Sequence, residues 1–379
     1  MNQSLFIKEL IKNKLFINRT NFTLKKQTKY TQIVNSGYQV ISSDAFSNIS
    51  DMVYSRYVEK NFIQKKQFEN YEILSERGNF YLVKIKNFTL SDGSIIYSNT
   101  EALDFLFEDL KQAEHFKNLI LITHESDLPI TQKVFSGKPS CISKWFGINI
   151  FYENENLIPI PIGVPGKFTE FYGKDYKYEE TLVNNKLNKI YINFRDNTNN
   201  KERSGLKSYF EKKDWAVVDN DKIDPDEYQK NLKKYTYNLC PIGNGFDTYR
   251  IWETLVAGSI PVTKKHPAFN SFEKFPIIFL ENLKFDNLES LELHSKSFNL
   301  SNLNFLDIGY WKKIIIESKE HTKDTLEVKI HQNDVLFDKK RKYFAKLERR
   351  KSNLKKFKYF IFRYTNMKNY ILFLKKKIN

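Results

Sequence analysis

The run Cys240-Pro241-Ile242-Gly243-Asn244-Gly245-Phe246-Asp247-Thr248-Tyr249-Arg250-Ile251-Trp252-Glu253 holds residue types whose spacing suits phosphate chemistry. Gly243 and Gly245 let backbone N–H groups approach a ligand closely. A helix N-terminus directly after such a loop adds a positive dipole end. Asp247 is placed to cap that helix. Arg250, one turn in, offers a fixed cation for diphosphate oxygens, and Glu253, a further turn along, can accept hydrogen bonds from a ribose. A Gly-rich strand-to-helix turn also occurs for structural reasons alone, and Arg250 with Glu253 equally fits an i,i+3 surface ion pair.

Such a loop needs a strand before it and a helix after it. The pattern predicts a strand at Tyr237–Cys240, a helix at Asp247–Ala257 and a strand at Ser259–Thr263. Upstream it predicts strands at Lys189–Phe194 and Trp215–Asp219, with a helix at Asn200–Lys212. A second helix is expected at Pro225–Lys234, capped by Asp224 with Pro225 at its first position; another strand follows at Pro276–Leu280. An earlier alternation begins with a helix at Glu101–His115 and the apolar run Leu119–Ile122, which ends in Thr123-His124-Glu125-Ser126-Asp127. Strand-like runs follow at Cys141–Ile148 and Leu157–Ile162, the latter closing on Gly163-Val164-Pro165-Gly166. Two α/β alternations imply two Rossmann-like lobes around a cleft, with ligands at the carboxyl ends of the strands. The expected division is 1–185, 186–338 and a tail at 339–379, the polar stretch 167–188 being the crossing. Residues 1–95 show weak periodicity, with a strand-like run at Tyr81–Ile85.

At 379 residues and 41% hydrophobic, the chain can bury two cores and is not a disordered one. No apolar run approaches the ~20 residues of a membrane-spanning helix, and the start lacks the features of a secretory signal. Two cysteines, Cys141 and Cys240, are too few for a disulfide framework, so a reducing, cytoplasmic setting is expected. The net charge of +16 has one source: residues 339–379 carry 16 Lys/Arg against one acid, Glu348, leaving residues 1–338 at +1. That tail interleaves bases and aromatics, with Lys355, Lys356, Phe357 and Phe360 suited to an amphipathic helix lying on an anionic membrane. Docking of the stripe on the protein's own body is the alternative. Nucleic acid is disfavoured, because no recognition motif accompanies the charge. Asp219-Asn220-Asp221 has the spaced carboxylates of a divalent-cation site but reads as a solvated turn, so no metal is expected.

The string CPIGNGFDTYRIWETLVAGSIPV closely resembles the nucleotide-sugar-binding segment of exostosin-type glycosyltransferases, through Gly243, Gly245, Asp247, Arg250, Trp252, Glu253, Gly258, Ile260 and Pro261. Tyr191-Ile192-Asn193-Phe194, Asn197-Thr198-Asn199 and Arg203 look like the opening strand and loop of the donor domain in bacterial and viral members. Thr123–Asp127, Trp145-Phe146 and Pro159–Gly163 are similar to the acceptor-side half. A weaker resemblance to a related segment of fucosyltransferases leaves the sugar open. The resemblance spans roughly residues 115–285 and implies the α/β GT-B fold.

It also implies transfer of a sugar from a nucleoside diphosphate donor, inverting and metal-independent, to a glycan or lipid-linked glycan, in surface polysaccharide or glycoprotein glycan synthesis. The expected donor-binding residues are Asn193, Arg203, Gly243, Asn244, Gly245, Asp247, Arg250 and Glu253. The acceptor hydroxyl needs a base from the first lobe, with Asp127 the first candidate and His124 the second. The competing reading has His124 ending the strand and Asp127 opening a turn. A non-catalytic nucleotide- or glycan-binding protein is the alternative function.

Overall fold

The computed structural model describes residues 39–65, 68–165, 186–219, 223–298, 300, 303–318 and 325–330. The basic tail, with Lys355, Lys356, Phe357 and Phe360, lies outside the described residues, as does most of the polar stretch at 167–188.

The first half builds β1 (Met52–Tyr54), β2 (Tyr57–Glu59), β3 (Tyr71–Arg77), β4 (Phe80–Ile85), β5 (Phe88–Ser91), β6 (Ile95–Asn99), β7 (Leu119–His124), β8 (Ile142–Gly147) and β9 (Leu157–Pro159). Five of these form a parallel sheet in the order β1-β6-β7-β8-β9. Strand β7 is buried along its whole length, which explains why it reads as an unbroken apolar run: both faces are covered by other layers. Strands β2, β4 and β3 form a separate antiparallel sheet, which accounts for the weak helical or parallel-strand signal before residue 95. The helix expected over 101–115 is α1 (Leu103–Leu110), flanked by 3-10 turns at Thr100–Ala102 and Lys111–Ala113.

The second half builds β10 (Leu187–Ile192), β11 (Ala216–Val218), β12 (Tyr235–Leu239), β13 (Ile260–Lys264) and β14 (Ile278–Leu280). These too are all parallel, in the order β11-β10-β12-β13-β14. Helix α2 (Pro225–Lys234) starts as expected, with the Asp224 carboxylate accepting from the Asp226 N–H at 2.9 Å. The single helix expected at 200–212 is two short pieces, Asn200–Arg203 and Leu206–Phe210, because Gly205 adopts φ 75° between them. Helix α3 (Tyr249–Val256) packs Ile251, Leu255 and Val256 into the interior. Ile190, Ile192, Leu239, Ile260 and Val262 form the core beneath this sheet.

Both sheets belong to one compact unit beginning at Gln39, and their carboxyl ends meet: these are the two facing Rossmann-like lobes of a GT-B architecture. The chain then returns. Residues 303–318 and 325–330, placed by the sequence with the second lobe, contact the first: Ile41 N–H donates to Leu306 O and Ile308 N–H to Gln39 O, and β15 (Thr325–Val328) pairs antiparallel with β5. On this returning segment, α4 (Ile308–Glu317) carries Trp311, whose ring meets Phe272 and Phe275 of the second lobe edge-on. A short-range pattern cannot reveal such a crossing, since both partners are ordinary local elements.

Gly163 closes the last loop of the first lobe with φ 70°, where an added Cβ would strike the Ile41 carbonyl. Left-handed strain and a backbone clash therefore coincide, so Gly163→Ala should cost about 2–4 kcal/mol. Urea unfolding checks this; a midpoint within error of wild type would contradict the placement of this loop.

Candidate active site

The second sheet reverses its strand order at β10, which has β11 on one side and β12 on the other. Loops leaving neighbouring strands at such a point diverge and open a crevice. The two loops there are the ones the sequence singled out: Asn193 follows β10, and Cys240–Asp247 follows β12.

Arg203 organises this crevice from within. Its Nε donates to Ile242 O and its Nη2 to Pro241 O, both at 2.9 Å; Nη1 donates to Arg195 O at 2.9 Å and to Thr198 Oγ1 at 2.5 Å. The guanidinium also lies over the Phe194 ring. Arg203, expected to bind donor, thus commits four of its five N–H groups to pinning one loop to the other, with one Nη2 hydrogen left over. Asn199 extends the clamp, donating from Nδ2 to Gly243 O at 2.9 Å. Within the loop Gly243 N–H donates to Gly245 O, which curls the backbone. The N–H groups of Asn244 and Gly245 have no partner among the described residues.

Asp247 does not cap the helix, contrary to expectation. Helix α3 starts after Thr248, and the Asp247 carboxylate turns toward the other lobe, accepting from Ile162 N–H at 2.6 Å and Trp252 Nε1–H at 2.8 Å. It is 3% exposed, and burial pushes its pKa up to about 7 against the pull of its N–H donors. Thr248 occupies the cap position without a side-chain cap bond, its Oγ1 buried without a partner among the described residues, and Arg250 keeps its Nε in the same condition. Glu253 is 6% exposed and accepts from the Tyr228 hydroxyl at 2.9 Å. Desolvation raises its pKa, opposed by the nearby Arg250 charge, so Arg250 and Glu253 interact in the interior and not as a surface pair.

The first lobe supplies the opposite wall. Asn149, two residues past the end of β8, has φ 54° and is buried. Its Nδ2 donates to Ser126 O and its Oδ1 accepts from Phe246 N–H, both at 2.8 Å. A Cβ on Gly245 would lie 2.7 Å from that amide, so glycine is needed there for close approach. Asp127 reaches across to hydrogen-bond the Asn244 side chain, and desolvation between the lobes raises its pKa. Glu125, also at positive φ (55°), bonds Ser43 and has its pKa raised by desolvation and by Asp44 and Glu101. Desolvation, and then the charges of Glu125 and Asp127, push the Tyr249 hydroxyl pKa up to about 12.

His124 is placed differently from the expectation of a base. It is fully buried, its Nδ1 accepts from Glu125 N–H at 2.9 Å, and its Nε2 meets Pro161 O at 3.2 Å. Those partners fix the neutral ring with the proton on Nε2, and burial lowers its pKa to about 4. Packed between the Phe46 and Tyr97 rings with both ring nitrogens engaged, it holds the strand end. Asp219 accepts from Tyr191 Oη–H and Asn231 Nδ2–H, while Asn220 and Asp221 lie outside the described residues. Among the described residues no group of three His, Cys, Asp or Glu side chains is arranged to hold a metal ion. Sequence reasoning missed Asn149 and Tyr249; the sole signal for Asn149 was its position just past a buried strand.

Residues 181–290 match the family model of the RXYLT1 C-terminal domain, an exostosin-related glycosyltransferase family. The second lobe is a glycosyltransferase domain. No curated protein matches the chain. Solved structures that overlap this glycosyltransferase include an apo OtsA (12% identity, TM-score 0.34, covering 62% of this chain and 74% of that one). An α,α-trehalose 6-phosphate synthase from Burkholderia multivorans overlaps at 9% identity and TM-score 0.32, covering 60% of this chain and 72% of that one. A trehalose-6-phosphate synthase, OtsA, overlaps at 11% and 0.31, with the same coverages of 60% and 72%. At those values none bears on what this glycosyltransferase binds.

The buried Asp247 gives a pH test. A carboxyl whose folded pKa is raised favours the folded state at low pH, and that contribution disappears as pH rises through about 7. Asp247→Asn should remove this downward slope between the ordinary carboxylate range (~4) and neutrality. It should also cost roughly 1–3 kcal/mol, because an amide NH2 must then face one of the N–H donors. Melting curves across this pH range compare the two proteins; an unchanged slope in the variant removes Asp247 as its source.

Proposed function

We propose that this glycosyltransferase moves a sugar from a nucleoside diphosphate sugar to a hydroxyl of a glycan or lipid-linked glycan, with inversion and without a metal ion. The observation that carries this reading is the pair of orphaned buried groups, Thr248 Oγ1 and Arg250 Nε, beside a glycine loop that faces a carboxylate on the other lobe. Orphaned buried donors are costly unless a ligand completes them. The N–H groups of Asn244 and Gly245, the start of α3 and Arg250 stabilise the leaving diphosphate as its charge develops. Glu253 takes the ribose hydroxyls in place of the Tyr228 hydroxyl, and Asn193 borders the same crevice. Inversion requires the acceptor to attack from the face opposite the diphosphate. Asp127, across from the loop, removes its proton; a carboxylate with a raised pKa is a stronger base than an ordinary one.

The basic segment 339–379, read as a membrane-surface helix through Lys355, Lys356, Phe357 and Phe360, would hold the enzyme on the cytoplasmic face near a lipid-linked acceptor. Surface polysaccharide or glycoprotein glycan synthesis is the setting this reading favours.

UDP or GDP should raise the melting temperature. Asp127→Asn should keep that shift, lose 10²–10⁴-fold in turnover and abolish the acidic limb of the rate profile, which lies above the ordinary carboxylate range. Glu125→Gln should cost less, and turnover should survive EDTA. A nucleotide shift with no turnover in the wild-type protein on any acceptor would leave a binding protein, and chelator inactivation reversed by manganese would overturn metal independence. Separately, truncation after residue 338 should abolish binding to phosphatidylserine vesicles while sparing transfer to a soluble acceptor; retained vesicle binding contradicts the role of the tail.

A further inference from the structure

A groove of about 520 Å³ lies between the β9 edge of the first lobe and the 3-10 turn Pro267–Phe272 of the second. That size falls within the ~300–1,000 Å³ of small-molecule sites. It adjoins the proposed reaction centre through an aromatic seam. Phe246, next in sequence to Gly245, stacks on His266 with centroids 3.5 Å apart, and Phe151 packs edge-on against both rings at 4.6 and 4.7 Å. Phe151 is flanked by Ile150 and Tyr152, and His266 is followed by Pro267, all lining residues of the groove or members of that seam.

The lining has a distinct chemical character. Tyr152 and Pro267 offer flat apolar faces, Asn270 and Ser271 offer amide and hydroxyl groups, and Glu153 and Glu155 add carboxylates. Asn270 Nδ2 donates to Glu153 Oε1 at 3.0 Å, so the two lobes are joined across the groove. No Lys, Arg or His lines it. Two carboxylates without a cation repel phosphates, uronates and sialates, so the groove is unsuited to a nucleotide. Flat aliphatic and aromatic surfaces with carboxylate and amide partners instead match the C–H faces and hydroxyls of neutral sugar rings.

We propose that this groove binds a neutral oligosaccharide, the arm of the acceptor glycan beyond the sugar that reacts. The assignment rests on the glycosyltransferase reading above and adds to it the charge class of the acceptor and the surface that selects it. Positioning by remote acceptor sugars holds the reacting hydroxyl in place without altering the donor site.

The test uses the full chain, fluorescently labelled, on an array of neutral and of uronate- or sialate-bearing glycans. Because the basic tail attracts acidic glycans by itself, the informative signal is the part that Tyr152→Ala or Asn270→Ala removes. Both side chains lie at the surface of the groove, and UDP- or GDP-induced melting shifts, measured in parallel, report that the donor site remains intact. The expected result is at least a ten-fold loss confined to neutral glycans, with the nucleotide shift unchanged. No neutral glycan bound, a variant-sensitive signal on acidic glycans, or neutral binding indifferent to both variants overturns the proposal. Absence of any nucleotide shift in the wild-type protein would instead overturn the donor reading, so the two failures are distinguishable.

Discussion

One buried side chain, Asn149, fixes the geometry of the cleft. It donates to the Ser126 carbonyl in the loop that carries Asp127, and it accepts from Phe246 in the loop that carries Gly243 and Gly245. A carboxylate of the same shape has no donor for Ser126, and an apolar side chain leaves both backbone groups unsatisfied in the interior. The price of this arrangement is local: Asn149 adopts a left-handed backbone, and Gly245 must lack a Cβ. Asp247 reinforces the same junction through Ile162 N–H. The loops that bear the candidate chemistry are therefore registered against each other by directional, buried bonds. A looser apolar contact would let them slide by more than a reaction coordinate tolerates.

That junction also marks where sequence reasoning reached its limit. The strand, glycine loop and helix around residue 245 were legible because several local signals agreed: an apolar strand run, two glycines and a helical apolar face. Strands β7, β8 and β9 were legible for a related reason, since strands covered on both faces read as apolar runs. Asp247 misled because its local context is that of a helix cap, whereas its partner, Ile162, is 85 positions away and contributes a backbone N–H of no particular side-chain type. His124 misled in the opposite sense. A histidine at a strand end looks available, and only tertiary packing shows both ring nitrogens engaged. The return of residues 303–308 and 325–328 to the first lobe was invisible because a helix or edge strand carries no label for the sheet it will meet.

The electrostatics of the crevice point the same way as its geometry. Burial, and secondarily the nearby Arg250 charge, lowers the Arg203 pKa to about 10. Two guanidinium groups sharing one desolvated region repel, and a single buried carboxylate, Glu253, stands beside Arg250. Arg203 is compensated by backbone carbonyls, whose dipoles fix it in place, and by the charge of Asp196. Arg250 keeps an unpartnered Nε. Two guanidinium groups held rigid in a region poor in water, beside Asp196 and Glu253, keep the Arg250 Nε–H available to an anion. The fold supplies that rigidity through the Arg203 clamp, so an anion that enters this crevice meets groups already fixed in place.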